Sequence, residues 1–293
     1  MPDFLESRLH ARPCVCAESG TLALYFRKGE LQSLMAVEQP SALALPYTKT
    51  MMGFLLTNPN PLHILMIGLG GGSIAKFCYH HLPNVRITVV EINPHVIAMR
   101  SLFQIPEDDA RFKVVCADGA DYVQDARQVF DVMLIDGFDV QGQSEQLSRS
   151  DFYRNCSRAL MPSGVMVVNL DGDHPYHPVF LQRIGKAYKK IVLEVPVVER
   201  GNHIVFAAKD AVFAPKESHF VRALEQLTAE AKMQLRPEFR RILLAVDQRD
   251  APVISSSTDR SGNTSDEESE RRLDYQSNAL QSQAVGNGEI SFF

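Results

Sequence analysis

The run ILMIGLGGGSIAKF, Ile64 to Phe77, decides the fold. Four apolar residues suited to a buried strand lead into four glycines within five positions, Gly68, Gly70, Gly71 and Gly72, after which the chain reads as a helix. Glycine allows a tight turn and lets a ligand approach the backbone, and the N–H groups that open a helix are free to bind oxygen-rich groups. A dinucleotide fingerprint would put glycine at the sixth position, where this chain has Ser73, so the match to an NAD loop is imperfect. A purely structural turn explains one or two of these glycines more easily than four.

Outward from this loop, between Leu62 and Lys209, six further apolar runs follow: RITVVEI, FKVVCA, FDVMLID, GVMVVNL, KIVLEVPVV and HIVFAAK. The first five of the seven runs are separated by helix-length segments, which predicts an α/β fold with a mostly parallel sheet and helices on both faces. The last two lie close together around Glu199, Arg200 and Gly201, which predicts an antiparallel last strand. The expected architecture is thus a Rossmann-like sheet of seven strands, over 62–250. Upstream, residues 1–61 hold TLALYF and LQSLMAV around a charged RKGE, the pattern of a small β-hairpin segment. Downstream, RALEQLTAEAKMQL and PEFRRILLAVDQ predict two helices. The tail 251–293 is rich in Ser, Asn, Gln and acids, a composition that predicts disorder.

Composition narrows the function. The chain has 293 residues, 45% hydrophobic and 22% charged, as expected of a globular protein with a sizeable core. No apolar run is long enough to span a bilayer and the charged N-terminus lacks a secretory core, so the expected setting is the cytoplasm, with no membrane partner. The formal charge is −5, and from Asp259 onward seven acids face three arginines, so the remainder is close to neutral and no nucleic-acid partner is indicated. The odd count of five cysteines, three of them in apolar segments, reads as reduced thiols.

In an open parallel sheet, ligands bind beyond the carboxyl ends of the strands. Glu91 ends the second run about twenty residues past the glycines, where an acid can accept hydrogen bonds from both ribose hydroxyls of a nucleoside. Asp118, followed by Gly119, ends the third, where an acid can accept the exocyclic amine of adenine. Each acid alone is equally well read as a helix N-cap. Asp136 and Asp139 follow the fourth run, and Asn169 at the end of the fifth is placed to line a pocket. The adjacent His80 and His81 read as an exposed pair. The loop GDHPYHP reads as a rigid turn bringing Asp171, Asp173, His174 and His177 near the pocket, and no metal is expected.

With these residues in place, the chain resembles the S-adenosylmethionine-dependent methyltransferase fold and, within it, the spermidine synthase family of polyamine aminopropyltransferases. The segment IDGFDVQGQSEQLSRSDFYRNCSRALMPSGV carries the closer likeness, through Asp136, Asp139, Gly142, Leu147, Phe152, Tyr153, Ala159, Leu160, Pro162 and Gly164. LQSLMAVEQPSALALPYTKTMM resembles the family's short β domain. The resemblance implies a transferase that moves an aminopropyl group from decarboxylated S-adenosylmethionine to an amine such as putrescine. It further implies Asp136 as the base, Asp139, Tyr47 and Gln32 as substrate-binding residues, and Gly68, Gly70, Gly71, Gly72, Glu91, Asp118 and Gly119 as the nucleoside site. A homodimer is left open.

Three departures from the family pattern stand out. The aspartate that recognises the amine of the decarboxylated cofactor is Gly71 here, the proline after the second acid is Val140, and a tyrosine before the final hairpin turn is Val198. The nucleoside half of the site is kept and the polyamine half eroded. Two alternatives therefore stay open: a methyltransferase using intact S-adenosylmethionine on a small acceptor, and a catalytically silent nucleoside-binding protein.

Overall fold

The computed structural model describes residues 10–27, 29–139, 142–189, 192–197, 201–209 and 212–250. Val140, Val198, the side chain of Asp139 and the tail from 251 lie outside the described residues.

The chain opens with three antiparallel strands, β1 (Cys14–Glu18), β2 (Thr21–Tyr25) and β3 (Leu31–Ala36), so the expected hairpin gains an additional strand at its N-terminal side. Helix α1 (Pro46–Met51) and a 3₁₀ turn (Met52–Leu56) lead to the large sheet. There follow β4 (His63–Ile67), α2 (Ser73–His81), β5 (Arg86–Glu91), α3 (Pro94–Ile97), β6 (Phe112–Cys116), α4 (Gly119–Gln124) and β7 (Phe130–Ile135). A two-stranded ribbon, β8 (Phe138–Asp139) and β9 (Gly142–Gln143), precedes α5 (Ser150–Ala159), β10 (Leu160–Asp171), α6 (His177–Tyr188), β11 (Leu193–Pro196), β12 (Asn202–Ala208), α7 (Glu217–Glu225) and α8 (Ala229–Asp250).

The seven-stranded sheet has the order β11-β12-β10-β7-β4-β5-β6, with β12 antiparallel to both its neighbours. All seven expected strands are present. Their continuous apolar runs follow from burial on both faces, and the two-residue period sorts the side chains. Ile64, Met66, Ile87, Val89, Val132, Leu134, Val165 and Val167 face one core, with Phe54, Phe77, Leu235, Phe239 and Ile242 packed over them. Leu65, Ile67, Val90, Met133, Ile135, Met166 and Val168 face the other, under α5 and α6 through Phe152, Tyr153, Cys156, Ile184 and Tyr188. Residues 46–56 belong to the first core: a Cβ added at Gly53 would lie 2.5 Å from Ile242 Cδ1 and 2.8 Å from Phe206 Cζ.

The C-terminal helices are bounded differently from the sequence expectation. The break falls at Gln226–Thr228 rather than at Pro237, because the Thr228 hydroxyl accepts the Ala231 N–H at 3.2 Å and starts α8 there. The helix then continues through Pro237, held by Leu235, Phe239, Ile242 and Val246, which are buried at helical spacing. No helix among the described residues is long and apolar enough to cross a membrane.

Candidate active site

The chain runs from β4 to β5 and β6 on one side and returns to β7 and β10 on the other, so strand order reverses between β4 and β7. That reversal opens a crevice at the carboxyl edge. The glycine loop closes it from β4. Gly68 has φ +96°, and a Cβ there would sit 2.2 Å from the carbonyl oxygen of Asp136. The Asp136 N–H in turn donates to the Ile67 carbonyl at 2.8 Å, so the loop and the acid of β7 share backbone contacts. Gly72, at φ +68°, precedes α2 and offers no side chain to cap the first-turn N–H groups of that helix.

Glu91 is 8% exposed and works first as an anchor of this loop. Its Oε2 accepts the Leu69 N–H at 2.8 Å and its Oε1 the Asn93 N–H at 2.8 Å. Burial raises its pKa, while backbone N–H groups of Asn93, Leu69 and Gly70 act in the opposite direction. Glu91→Ala is therefore expected to weaken nucleoside binding by about 1–3 kcal/mol and to lower the stability of the unliganded protein as well, since two buried N–H groups lose their acceptor. Calorimetry and melting curves measure the two effects separately. Nucleoside affinity equal to that of the parent would remove Glu91 from the site.

Asp136, just past the end of β7, keeps part of its surface open yet is surrounded closely enough that burial raises its pKa, against hydrogen bonds from Asn169 and Tyr47 that lower it. Tyr47 Oη, from α1, donates to Oδ2 at 3.0 Å, and Asn169 Nδ2, near the end of β10, donates to Oδ1 at 2.9 Å. The Asn169 amide is itself oriented: its Oδ1 accepts from Asn202 Nδ2, at the start of β12, at 3.0 Å. Each carboxylate oxygen thus has one fixed donor and retains lone-pair capacity for a substrate. Asn169→Ala removes the donor at Oδ1, so the pKa of Asp136 moves further up. With Asp136 as the base that the resemblance implies, which would act only above its pKa, the acid limb of a kcat/KM profile is expected to move to higher pH, with turnover at neutral pH down about ten- to a hundredfold. A limb that stays in place would show that Asn169 does not support Asp136.

The remaining expected residues fall as follows. Asp118 caps α4, with Oδ1 accepting the N–H groups of Ala120 at 2.7 Å and Asp121 at 3.4 Å; among the described residues Oδ2 has no partner. Gly119 is buried where a Cβ would meet Ile67 Cγ2 at 2.4 Å, so it lets α4 lie against β4. Gly70, at φ +51°, has only Ser33 within 4 Å of an added Cβ, whereas at Gly71 a Cβ would meet Ser33 Oγ at 2.6 Å and Phe103 Cδ1 at 2.9 Å. An aspartate at 71 would first have to displace Ser33 and Phe103. Gln32 lies on β3 beside Ser33, whose hydroxyl is 3.5 Å from that of Ser73. Below them Lys76 is buried, donating to the Phe103 carbonyl at 2.7 Å and the Met35 sulfur at 2.9 Å, and burial lowers its pKa to about 8.

The histidine expectation needs correction: His80 is exposed, but His81 is 2% exposed, its ring against Phe77 and its Nδ1 2.8 Å from the Thr228 hydroxyl. His177 also departs from a simple turn residue. Its Nε2 lies 2.7 Å from Glu194 Oε1, which His203 Nδ1 approaches at 2.5 Å. Asn202, Ser33, Glu194 and His203 were not singled out from the sequence; polar residues inside the apolar runs of β3, β11 and β12 were the available signal.

Comparison with known proteins identifies the family. The spermine/spermidine synthase domain model matches residues 45–199. The chain belongs to the spermine/spermidine synthase family. Among members of this transferase family, the polyamine aminopropyltransferase of Chromobacterium violaceum is 42% identical over 199 residues, covering 67% of this chain and 76% of the relative. The polyamine aminopropyltransferase of Neisseria meningitidis serogroup A is 39% identical over 208 residues, 70% and 78% of the two chains. In three dimensions, a probable spermidine synthase from Corynebacterium glutamicum superposes with a TM-score of 0.61 at 17% identity, covering 87% of this chain and 94% of its own. At that identity the superposition speaks for the fold, and the sequence relatives carry the family membership.

Proposed function

We propose that this spermidine synthase family member transfers an aminopropyl group from decarboxylated S-adenosylmethionine to a small primary amine such as putrescine. The single observation that carries the reading is Asp136 at the switch point, with Tyr47 and Asn169 donating one hydrogen bond to each oxygen. In the reaction the amine lone pair attacks the carbon next to the sulfonium sulfur, the C–S bond breaks, and methylthioadenosine leaves with the bonding electrons. The nitrogen becomes cationic as it bonds, and its proton passes to Asp136. Tyr47 and Asn169 hold the carboxylate so that an oxygen faces the incoming nitrogen, which turns a chance encounter into a prearranged one. The nucleoside lies over Gly68–Gly72, with Glu91 toward the ribose and Oδ2 of Asp118 toward the adenine. Asp139 and Gln32 complete the amine side, and the setting is the cytoplasm.

A second reading, methyl transfer from intact S-adenosylmethionine, draws on the loop around Gly71. No side chain at 71 supplies a carboxylate, the hydroxyls of Ser33 and Ser73 sit beside it, and no carboxylate pairs with the buried Lys76 among the described residues. With no carboxylate at position 71, the repulsion that an acid there would exert on the carboxylate of the intact cofactor is absent.

Product analysis with each cofactor and putrescine separates the readings. Methylthioadenosine together with a lengthened polyamine is the expected outcome. S-adenosylhomocysteine would establish methyl transfer, and cofactor binding without either product would establish the silent protein.

A further inference from the structure

We propose that His177, Glu194 and His203 form a binding site for one first-row divalent cation, best matched to zinc, which ties the β11–β12 hairpin to the start of α6. Their three ligand atoms lie within 4.8 Å of one another. They come from three separate elements, and within the hairpin Glu194 pairs with Val205 and Pro196 with His203, so Glu194 and His203 project from the same face. His177 meets them from α6 and is itself 8% exposed.

The hydrogen-bond pattern around these groups is one that an ion would resolve. Nδ1 of His177 lies 3.1 Å from the Asp171 carbonyl oxygen, which can only accept, so that nitrogen carries the hydrogen. In the neutral ring Nε2 then has only a lone pair, and it points at a carboxylate oxygen 2.7 Å away. Nδ1 of His203 points at the same oxygen from 2.5 Å. Either protons or a cation must stand between these groups. A single divalent ion reconciles both rings with one carboxylate, and a backbone carbonyl behind the ligating imidazole is the usual outer support for such a histidine. Zinc binds imidazole nitrogen and carboxylate oxygen at roughly 2.0–2.2 Å, which needs each ring nitrogen to draw back from the Glu194 oxygen by less than about 1 Å. Two imidazoles and one carboxylate also leave a coordination position for water.

The position gives the ion a consequence. His203 directly follows Asn202, whose amide orients Asn169 and through it Asp136. An ion at the hairpin would hold Asn202 in register.

The other group with ligand spacing, His80, His81 and Glu230, serves as the internal control. The test uses the full chain, freed of metal with a chelator and titrated with zinc by calorimetry and by melting. The expected result is one zinc per chain, with the melting temperature raised by roughly 5–10 °C at a hundredfold excess of zinc over its Kd. Glu194→Gln and His203→Ala should abolish that shift, and His80→Ala should retain it. If the first two variants fail to fold, cobalt(II) bound to the unaltered chain gives the answer: strong visible d–d bands mean four or five ligands including protein groups, whereas the weak bands of a hydrated six-coordinate ion overturn the site. The proposal is equally overturned if the unaltered chain binds no stoichiometric zinc. A shift that persists in Glu194→Gln and disappears in His80→Ala would place the ion on α2, and that too would sink it.

Discussion

Asp136→Asn lowers turnover by about 10²–10⁴-fold while leaving cofactor affinity and melting temperature close to those of the parent. The size follows from the role: asparagine keeps the shape but cannot take the proton that the attacking amine must lose. The fold should tolerate the change because the surroundings can re-pair. Asparagine can offer its carbonyl oxygen to Asn169 Nδ2, which is held in place by Asn202, and direct its amide hydrogens to the Tyr47 oxygen, which accepts as readily as it donates. Removing a charge whose burial is unfavourable offsets the weaker hydrogen bonds. The measurement is steady-state turnover with decarboxylated S-adenosylmethionine and putrescine, set beside calorimetry of the cofactor alone. Turnover within a few-fold of the parent would leave Asp136 a structural residue, and loss of cofactor binding would place it in the nucleoside site.

Gly68→Ala should destabilise the protein by about 3–5 kcal/mol, a melting shift on the order of 10 °C, or prevent recovery of folded protein. Two costs add. At φ +96° an L side chain is strained, and the new Cβ would lie 2.2 Å from the carbonyl oxygen of Asp136 and 2.8 Å from its carbon. Neither backbone can give way easily, because Asp136 N–H is bonded to Ile67 and Gly68 N–H to Val90, at 2.8 and 2.9 Å, inside the central strands. Gly70→Ala is the matched comparison. Its φ of +51° lies where L residues are tolerated, and the nearest atom to an added Cβ is 3.7 Å away. It should cost only about 1 kcal/mol. Equal losses at the two positions would mean that the approach of the loop to Asp136 is not what requires glycine.

The contrast between these glycines shows how far a sequence can be read. Four glycines after a buried strand announce a loop that a ligand can approach, but which of them is indispensable depends on the strand beside each. Gly68 abuts β7, Gly71 abuts Ser33 and Phe103, and Gly70 abuts almost nothing. Glu91 carries a similar lesson. Its position at a strand end is visible in the sequence, while its hold on the Leu69 N–H depends on the loop folding back over β5.

By itself, the sequence determined the seven strands, the parallel core, the antiparallel last strand, and the edge at which Glu91, Asp118 and Asp136 gather. These follow from local pattern, since a two-face-buried strand must be apolar throughout and a parallel sheet places every carboxyl end on one side. Only the tertiary structure decided that Asn202 orients Asn169, that His177 meets Glu194 and His203, that His81 is buried, and that α8 runs through Pro237. The first two depend on the register of β12 against its neighbours, Asp171 opposite Asn202 and Pro196 opposite His203. That register is set by the turns and by packing on both faces of the sheet, which join residues far apart in the chain, and no local pattern of apolar and polar residues encodes which polar side chains will then face one another.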